Sequence, residues 1–402
     1  MLGVDDTRIA RAVRKRLRSM MTSTLNDAFQ DIRPFHDSEV KEVIARLIQD
    51  QEFIAAIARF KFPQAAAYCG WLLKPLVAWR LRQQAAQIAT VRDFQQVVSF
   101  YMDRMIHKTT TALTFSGLDK LEPGRAYLFI SNHRDIAMDP AFVNYGLWHN
   151  GFDTVRIAIG DNLLRKPYVT DLMRLNKSFI VKRSAKGVRE MMAAYTELSS
   201  YIDHSIQDGH SIWIAQREGR AKDGRDDTDP AITKMLYMCR KKSGMSFAEA
   251  MQNLHIVPVS ISYELNPCDR RMARELQAIA EHGRYEKAQY EDIQSIVEGI
   301  IGNKGRVHVA FGHELTGSYE NPEALAAAID AQIQGNYYLH GSNLTAAKLL
   351  GVEGVIEPDQ QEQDRFQQRL QELEKNQQPY MLEMYAEPVR RQRALAQELA
   401  HD

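Results

Sequence analysis

The chain has 402 residues, 45% of them hydrophobic, with 51 basic and 51 acidic side chains. That length allows two or three domains with real cores, and the balanced charge gives no global pull toward nucleic acid. Three scattered cysteines, Cys69, Cys239 and Cys268, exclude a disulfide framework and a thiolate zinc site and fit a reducing compartment, which makes the cytoplasm the expected location.

Residues 1–112 read as a helical domain of four or five helices. Arg8, Arg11, Arg14, Lys15, Arg16 and Arg18 interleave with Ile9, Ala12, Val13 and Leu17 at helix spacing, a pattern that suits an anionic membrane surface or a solvated charged helix. No apolar run follows those charges, so no secretory signal is expected. Asp37-Ser38-Glu39 supply a helix start before the stripe Val40, Val43, Ile44 and Leu47, and Pro34, Pro63 and Pro75 are expected to punctuate the helices. The stretch from Trp71 to Trp79, flanked by Arg80 and Arg82, suits either contact with lipid head groups or a buried helix contact. Uncharged runs such as Phe62 to Leu73 fall short of the roughly 20 residues that span a bilayer, so no crossing segment is predicted.

Residues 113–336 change rhythm. Short apolar runs at Ala126 to Ser131, Thr154 to Gly160, Ser178 to Lys182, Ser211 to Gln216, His255 to Tyr263 and Arg306 to Phe311 alternate with helical stretches such as Val188 to Ile206 and Ala231 to Arg240. This alternation predicts an α/β domain, a mostly parallel sheet flanked by helices, with ligands beyond the carboxyl ends of the strands. Residues 337–402 return to helix as a polar extension rich in Gln, Glu and Arg, suited to packing on the N-terminal helices or to self-association.

The chemistry concentrates where the first apolar run ends. Asn132-His133-Arg134-Asp135, with Asp139 beyond, puts an imidazole on a loop with two carboxylates in reach. A neutral, oriented imidazole can take a proton from an alcohol near neutral pH, and a carboxylate on its other nitrogen fixes the tautomer. Lys182-Arg183-Ser184 and Arg217-Glu218-Gly219-Arg220 end two further strands, so cations are expected at the same sheet edge, fit for an anionic substrate. A kinase is excluded because Pro140 stands where the catalytic-loop asparagine should, and no glycine-rich phosphate loop precedes it. No Gly-x-Ser-x-Gly elbow occurs, which disfavours a serine nucleophile. The loop Ala221 to Asp229 is acidic but lacks EF-hand spacing, so it reads as a mobile polar lid or surface loop, and no metal is expected.

Taken in order, Ser131-Asn132-His133-Arg134 with its downstream aspartate, Phe179-Ile180-Val181-Lys182-Arg183-Ser184, Glu218-Gly219-Arg220 and Ile256-Val257-Pro258-Val259 resemble the four blocks of the glycerolipid acyltransferase superfamily. The resemblance spans roughly residues 126 to 264. It implies transfer of a fatty acyl group from acyl-coenzyme A or acyl-carrier protein to a hydroxyl of glycerol-3-phosphate or lysophosphatidate, without a cofactor. It also implies that His133 is the base and an aspartate its partner. Arg183 and the Glu218-Gly219-Arg220 region would serve the acceptor phosphate and site architecture, and Pro258 the site shape or acyl binding; Lys182 and Arg217 are further candidates for the acceptor. The family places four residues between histidine and aspartate; here five precede Asp139, one precedes Asp135, and Met138 fills the family position. One extra loop residue is absorbed if a helix starts at Pro140 with Asp139 at its cap, which favours Asp139 and leaves Asp135 as the alternative. Such an enzyme is expected to be peripheral on the inner face of the cytoplasmic membrane. The alternatives are transfer to another lysolipid, alcohol or amine, and a noncatalytic lipid-binding protein.

Overall fold

The computed structural model describes residues 28–401, so the basic segment Arg8 to Arg18 lies outside the described residues. Of the described residues, 28–91 with 159–201 form one compact unit and 92–158 with 202–401 form another.

In the first unit, α1 (Asp37–Leu47) buries Val40, Val43, Ile44 and Leu47, the stripe read from the sequence, and Glu39 reaches back to the His36 amide at 2.7 Å. Asp50 caps α2 (Gln51–Lys61) by accepting the Phe53 N–H at 2.8 Å, and α3 (Pro63–Ala85) starts on proline. Pro75, expected to end a helix, lies inside α3. It removes the bond to the Trp71 carbonyl, but Trp71 is on the exposed side of the helix, where solvent can replace that bond. Ile54 and Ala58 of α2 pack on Val77 and Ala78 of α3.

The chain then continues through α4 (Val91–Thr109), β1 (Thr110–Ser116), β2 (Leu128–Ser131), α5 (Met138–His149) and β3 (Arg156–Gly160). Next come α6 (Pro167–Leu175), β4 (Ser178–Val181), α7 (Val188–Gln207), β5 (Ile212–Ala215), α8 (Pro230–Tyr237) and α9 (Phe247–Gln252). The remaining elements are β6 (Ile256–Tyr263), α10 (Asp269–His282), α11 (Glu291–Ile301), β7 (Gly305–Phe311), α12 (Pro322–Gly335), α13 (Gly341–Leu349), α14 (Gln360–Gln371) and α15 (Gln378–His401).

The strands follow the order β1-β7-β6-β2-β5-β3-β4. β2 runs parallel to both β5 and β6, and β3 parallel to β5, as the alternating pattern predicts. β7 pairs antiparallel with β6 and parallel with β1, so β1 and β7 run against β6, β2, β5 and β3. β1, absent from the sequence reading, begins at the residue after α4 ends, with no breaker between them. Beneath one face of the sheet, Phe129, Trp213, Val257, Val259, Ile261, Tyr263, Val309 and Phe311 join Met138, Phe142, Val143 and Leu147 of α5 in one buried cluster.

The C-terminal helices pack within the second unit. Met381, Met384, Tyr385 and Val389 of α15 and Phe366 and Leu370 of α14 cluster with Met272 and Ala273 of α10 and Ala346 and Ala347 of α13. Buried Asp269 fastens them by accepting from Arg369 at 2.6 and 2.8 Å and from the Tyr385 hydroxyl at 2.7 Å.

Candidate active site

β2 is wholly buried at the centre of the sheet, and the chain leaves it at Asn132. In register, Ser131 faces Val259, so β6 runs on past the end of β2 through Ile261 to Tyr263. Asn132 makes use of that overhang. Its carboxamide donates to the Ile261 carbonyl at 3.0 Å and accepts the Ile261 N–H at 2.8 Å, and so continues the ladder with a side chain. The backbone of residue 133 is thereby released from the sheet while its starting point stays fixed.

His133 places Nδ1 2.9 Å from Oδ2 of Asp139. The histidine side chain is 14% exposed and the aspartate fully buried. Asp139 Oδ2 also accepts the backbone N–H groups of Arg134 at 2.6 Å and Asp135 at 2.9 Å, while Oδ1 accepts the Tyr263 hydroxyl at 2.6 Å. Four donors converge on this one buried carboxylate. The backbone amides of Arg134 and Asp135 can only donate, so Oδ2 is an acceptor; with Nδ1 of His133 donating to it as well, Nε2 is left as the ring nitrogen with a free lone pair. The indole of Trp213 meets the imidazole edge to face at 5.7 Å and is itself fixed by donating to the Ser131 hydroxyl at 3.0 Å.

Asp135 has another task. Its Oδ1 accepts the N–H groups of Ala137 at 3.0 Å and Met138 at 2.9 Å, capping the start of α5. Burial and the charge of Asp139 push its pKa up. Asp139, expected at the cap, sits inside the first turn of α5, and the carboxylate bonded to His133 is Asp139 rather than Asp135.

A buried ion pair underlies the loop. Arg134 donates to Asp226 at 2.6 Å and to the Gly224 carbonyl at 3.1 Å, and its guanidinium lies over the Tyr337 ring at 5.4 Å. Asp226 also accepts from Asn132 at 3.1 Å. The adjacent negative charge of Asp226 holds the Arg134 pKa above its ordinary value despite burial. The Ala221 to Asp229 loop is therefore no mobile surface lid: Ala221, Asp226 and Thr228 are buried, the Ala221 amide donates to the His133 carbonyl at 2.9 Å, and Thr228 donates to Asp330. Asp226 faces inward because Arg134 and Asn132 satisfy it, while Asp223, Arg225 and Asp229 remain on the surface. Among the described residues no group of three or more His, Cys, Asp or Glu is arranged to hold a metal ion.

The other predicted residues divide. Arg217, Glu218, Gly219 and Arg220 follow β5 on the segment that returns to His133 through Ala221; Gly219 takes φ +75° in an exposed turn, which only glycine adopts without strain. The charge of Arg220 reaches inward to Asp135 and to the Cys268 thiol, whose pKa burial pushes up to about 11. Pro258 lies between Val257 and Val259, which face the α5 cluster, so strand alternation turns its ring to the opposite face of the sheet. Arg183 and Lys182 belong to the first unit. There the Arg183 amide donates to Asp161 at 3.1 Å and its side chain passes Gly160, where an added Cβ would come within 2.9 Å. Lys182 is bonded by Asp31 and by Glu197 at 2.8 Å.

Asp226 and Tyr263 escaped the sequence reading. Asp226 lies in a loop whose composition marks it only as acidic, and Tyr263 ends a buried strand with no local sign of chemistry.

A family model described as Acyltransferase matches residues 112–262. Among solved structures, the chain is similar to the crystal structure of the 1-acyl-sn-glycerophosphate (LPA) acyltransferase PlsC from Thermotoga maritima, at 13% identity and a TM-score of 0.37, over 70% of this chain and 92% of that one. No curated protein matches the chain.

Proposed function

We propose, from the match of residues 112–262 to a family model described as Acyltransferase, that the protein is an acyltransferase of the glycerolipid type that moves a fatty acyl group from a thioester to a hydroxyl using His133 as base. The acceptor is of glycerol-phosphate type, glycerol-3-phosphate or lysophosphatidate, and the donor is acyl-coenzyme A or acyl-carrier protein. The observation that carries the reading is the His133–Asp139 pair at the end of β2, with Nδ1 bound to a buried carboxylate.

In this scheme Nε2 takes the proton of the acceptor hydroxyl as its oxygen attacks the thioester carbonyl. Asp139 stabilises the imidazolium that forms. Collapse of the tetrahedral intermediate breaks the carbon–sulfur bond, and the thiolate leaves with the proton returned by His133. The acceptor oxygen keeps the acyl group and no acyl-enzyme forms. The reaction as written needs no metal or organic cofactor. Within the unit that carries His133, Arg220, with Arg217, Glu218 and Gly219 as further candidates, serves the acceptor phosphate, arginine being the side chain whose planar fork suits phosphate oxygens.

The same reading includes work at an anionic membrane surface, on its cytoplasmic side. No helix of the described residues is long and apolar enough to cross a membrane. α3 instead leaves Tyr68, Trp71, Leu72, Leu76 and Trp79 exposed, the two tryptophans by 74% and 53%. No aspartate or glutamate occurs between Phe53 and Arg92, while Arg59, Lys61, Lys74, Arg80 and Arg82 lie in that stretch. Aromatic rings among cations fit the interface of an anionic bilayer. Trp71→Ala with Trp79→Ala should release the protein from anionic vesicles in a sedimentation assay at unchanged Tm; unchanged binding would remove α3 from this role.

The decisive experiment is thiol release by the purified protein, with both donor types, across glycerol-3-phosphate, lysophosphatidate and other lysolipids. Release that depends on a phosphorylated glycerol acceptor supports the proposal. Release with a neutral acceptor alone corrects the substrate, and no release with any pair overturns the enzyme reading.

A further inference from the structure

We propose that Tyr263 is a positioning residue of the reaction, completing a Tyr263–Asp139–His133 relay in which the phenol sets the proton affinity of the base. This rests on the assignment of His133 above. Tyr263 closes β6, and the overhang of β6 beyond β2 is what carries its hydroxyl to Asp139 Oδ1, 2.6 Å away. The ring is 3% exposed and packed against Phe142 of α5, with ring centroids 6.0 Å apart. Its position is therefore fixed by the same core that fixes Asp139.

The two oxygens of Asp139 have separate duties. Oδ2 serves His133 and the two loop amides, while Oδ1 has the Tyr263 hydroxyl as its donor. Burial and the charge of Asp139 raise the Tyr263 pKa well above its ordinary value, so the phenol remains a donor throughout the working pH range. Arg134, Asp135, Asp226 and Tyr337 also interact electrostatically with Asp139. None of them has a hydrogen bond to Oδ1 in the structure. The strand that carries the proline block thus enters the chemistry through its last residue, Tyr263, on the face opposite the proline ring.

The hydroxyl dipole presents its positive end to the carboxylate and so tempers the negative field felt by the imidazole. Removing it leaves Asp139 more basic and the imidazolium better stabilised, and the His133 pKa rises. The freed oxygen also loses the bond that holds the carboxylate plane, and turnover falls.

The test is Tyr263→Phe, which keeps the ring and its packing. Histidine-labelled protein, with the His133 signal assigned by its loss in His133→Ala, gives the imidazole titration by NMR without any substrate. Tyr263→Phe should raise the His133 pKa by roughly half a unit, and Asp139→Asn should lower it. With the acyl donor and acceptor that support thiol release, kcat should fall about tenfold at little change in KM, as expected for one lost hydrogen bond to a charged group. In the His133→Ala background the same substitution should have no further effect on the residual rate. A His133 titration that does not move in Tyr263→Phe overturns the relay. So does a shifted titration with full turnover in a protein that His133→Ala inactivates. Full turnover in His133→Ala itself would instead overturn the proposed function, and the titration would still decide whether Tyr263 governs the imidazole.

Discussion

Asp139 holds His133 with the same oxygen that accepts the backbone N–H groups of Arg134 and Asp135, so the loop that delivers the imidazole and the carboxylate that orients it are one hydrogen-bonded object. The single extra residue between the two, relative to the four-residue spacing the sequence resembles, is taken up by the turn whose amides point at Asp139. Loss of the carboxylate should therefore disturb both the base and its loop.

Asp139→Asn should lower kcat by about a hundredfold or more, since an amide at Oδ2 favours the wrong tautomer of His133, and His133→Ala should reduce transfer to background. Asp135→Asn keeps an oxygen for the amides of Ala137 and Met138 and should keep most of the activity. Steady-state thiol release compares the three variants; a larger loss in Asp135→Asn than in Asp139→Asn would reverse the assignment.

Asp226→Ala strands a buried guanidinium. Arg134 is 5% exposed and its charge is met by Asp226 at 2.6 Å. Removing one partner of such a pair typically costs about 3–5 kcal/mol. Urea unfolding should show a loss of that order, with Asp226→Asn milder because a neutral acceptor remains. A midpoint unchanged in Asp226→Ala would mean that other groups neutralise the arginine.

Stability should depend on pH through His340. This histidine is 3% exposed, bonds Ser262 at 3.1 Å, and has its pKa lowered to about 3, first by burial and then by the charges of His308 and Arg306. The unfolded chain titrates near the ordinary value of 6.5, so between about pH 6.5 and pH 3 it binds more protons than the native state. Acidification across that window removes stability, by up to about 1.4 kcal/mol per pH unit. Asp330 opposes it, because burial raises its pKa to about 6 and its neutral form favours the native state as the pH falls below that. Comparing His340→Gln with the parent cancels Asp330. The urea midpoint of the parent should drop more between pH 7 and pH 5 than that of the variant, and equal drops would refute the assignment.

Gly299 of α11 faces Asp135 so closely that an added Cβ would stand 2.1 Å from its Oδ2. Alanine normally strengthens a helix interior, by about 1 kcal/mol. Here Gly299→Ala should instead destabilise, by roughly 1–3 kcal/mol as in overpacked cores, and Asp135→Ala in the same chain should recover part of the loss. A thermal melt at or above the parent Tm for Gly299→Ala would show that the two segments separate freely.

Periodicity and runs of apolar residues made the centre of the sheet legible. Leu128 to Ser131, Ile212 to Ala215 and Ile256 to Tyr263 are buried on both faces and read as continuous hydrophobic runs. β1 was not legible, because Thr110 to Ser116 is half-exposed and joins α4 without a glycine or proline to mark the change. The closeness of His133 to Asp139 followed from their spacing, whereas the Arg134–Asp226 pair joins loops 92 residues apart, a relation that local pattern does not record. The apolar positions Met381, Met384, Tyr385 and Val389 gave α15 a helical face, but their burial against α10 and α13 depends on tertiary packing that a polar-looking composition concealed.

The bond from the Asn132 side chain to the peptide of Ile261 gives the sheet a built-in indicator. The Ile261 amide proton sits in a wholly buried strand, yet its partner is a side chain at the start of the loop that carries His133. Its hydrogen exchange is therefore timed by opening of that loop and not by unfolding of the sheet. One backbone amide in the core of the protein thus keeps a record of how often the loop of His133 comes loose.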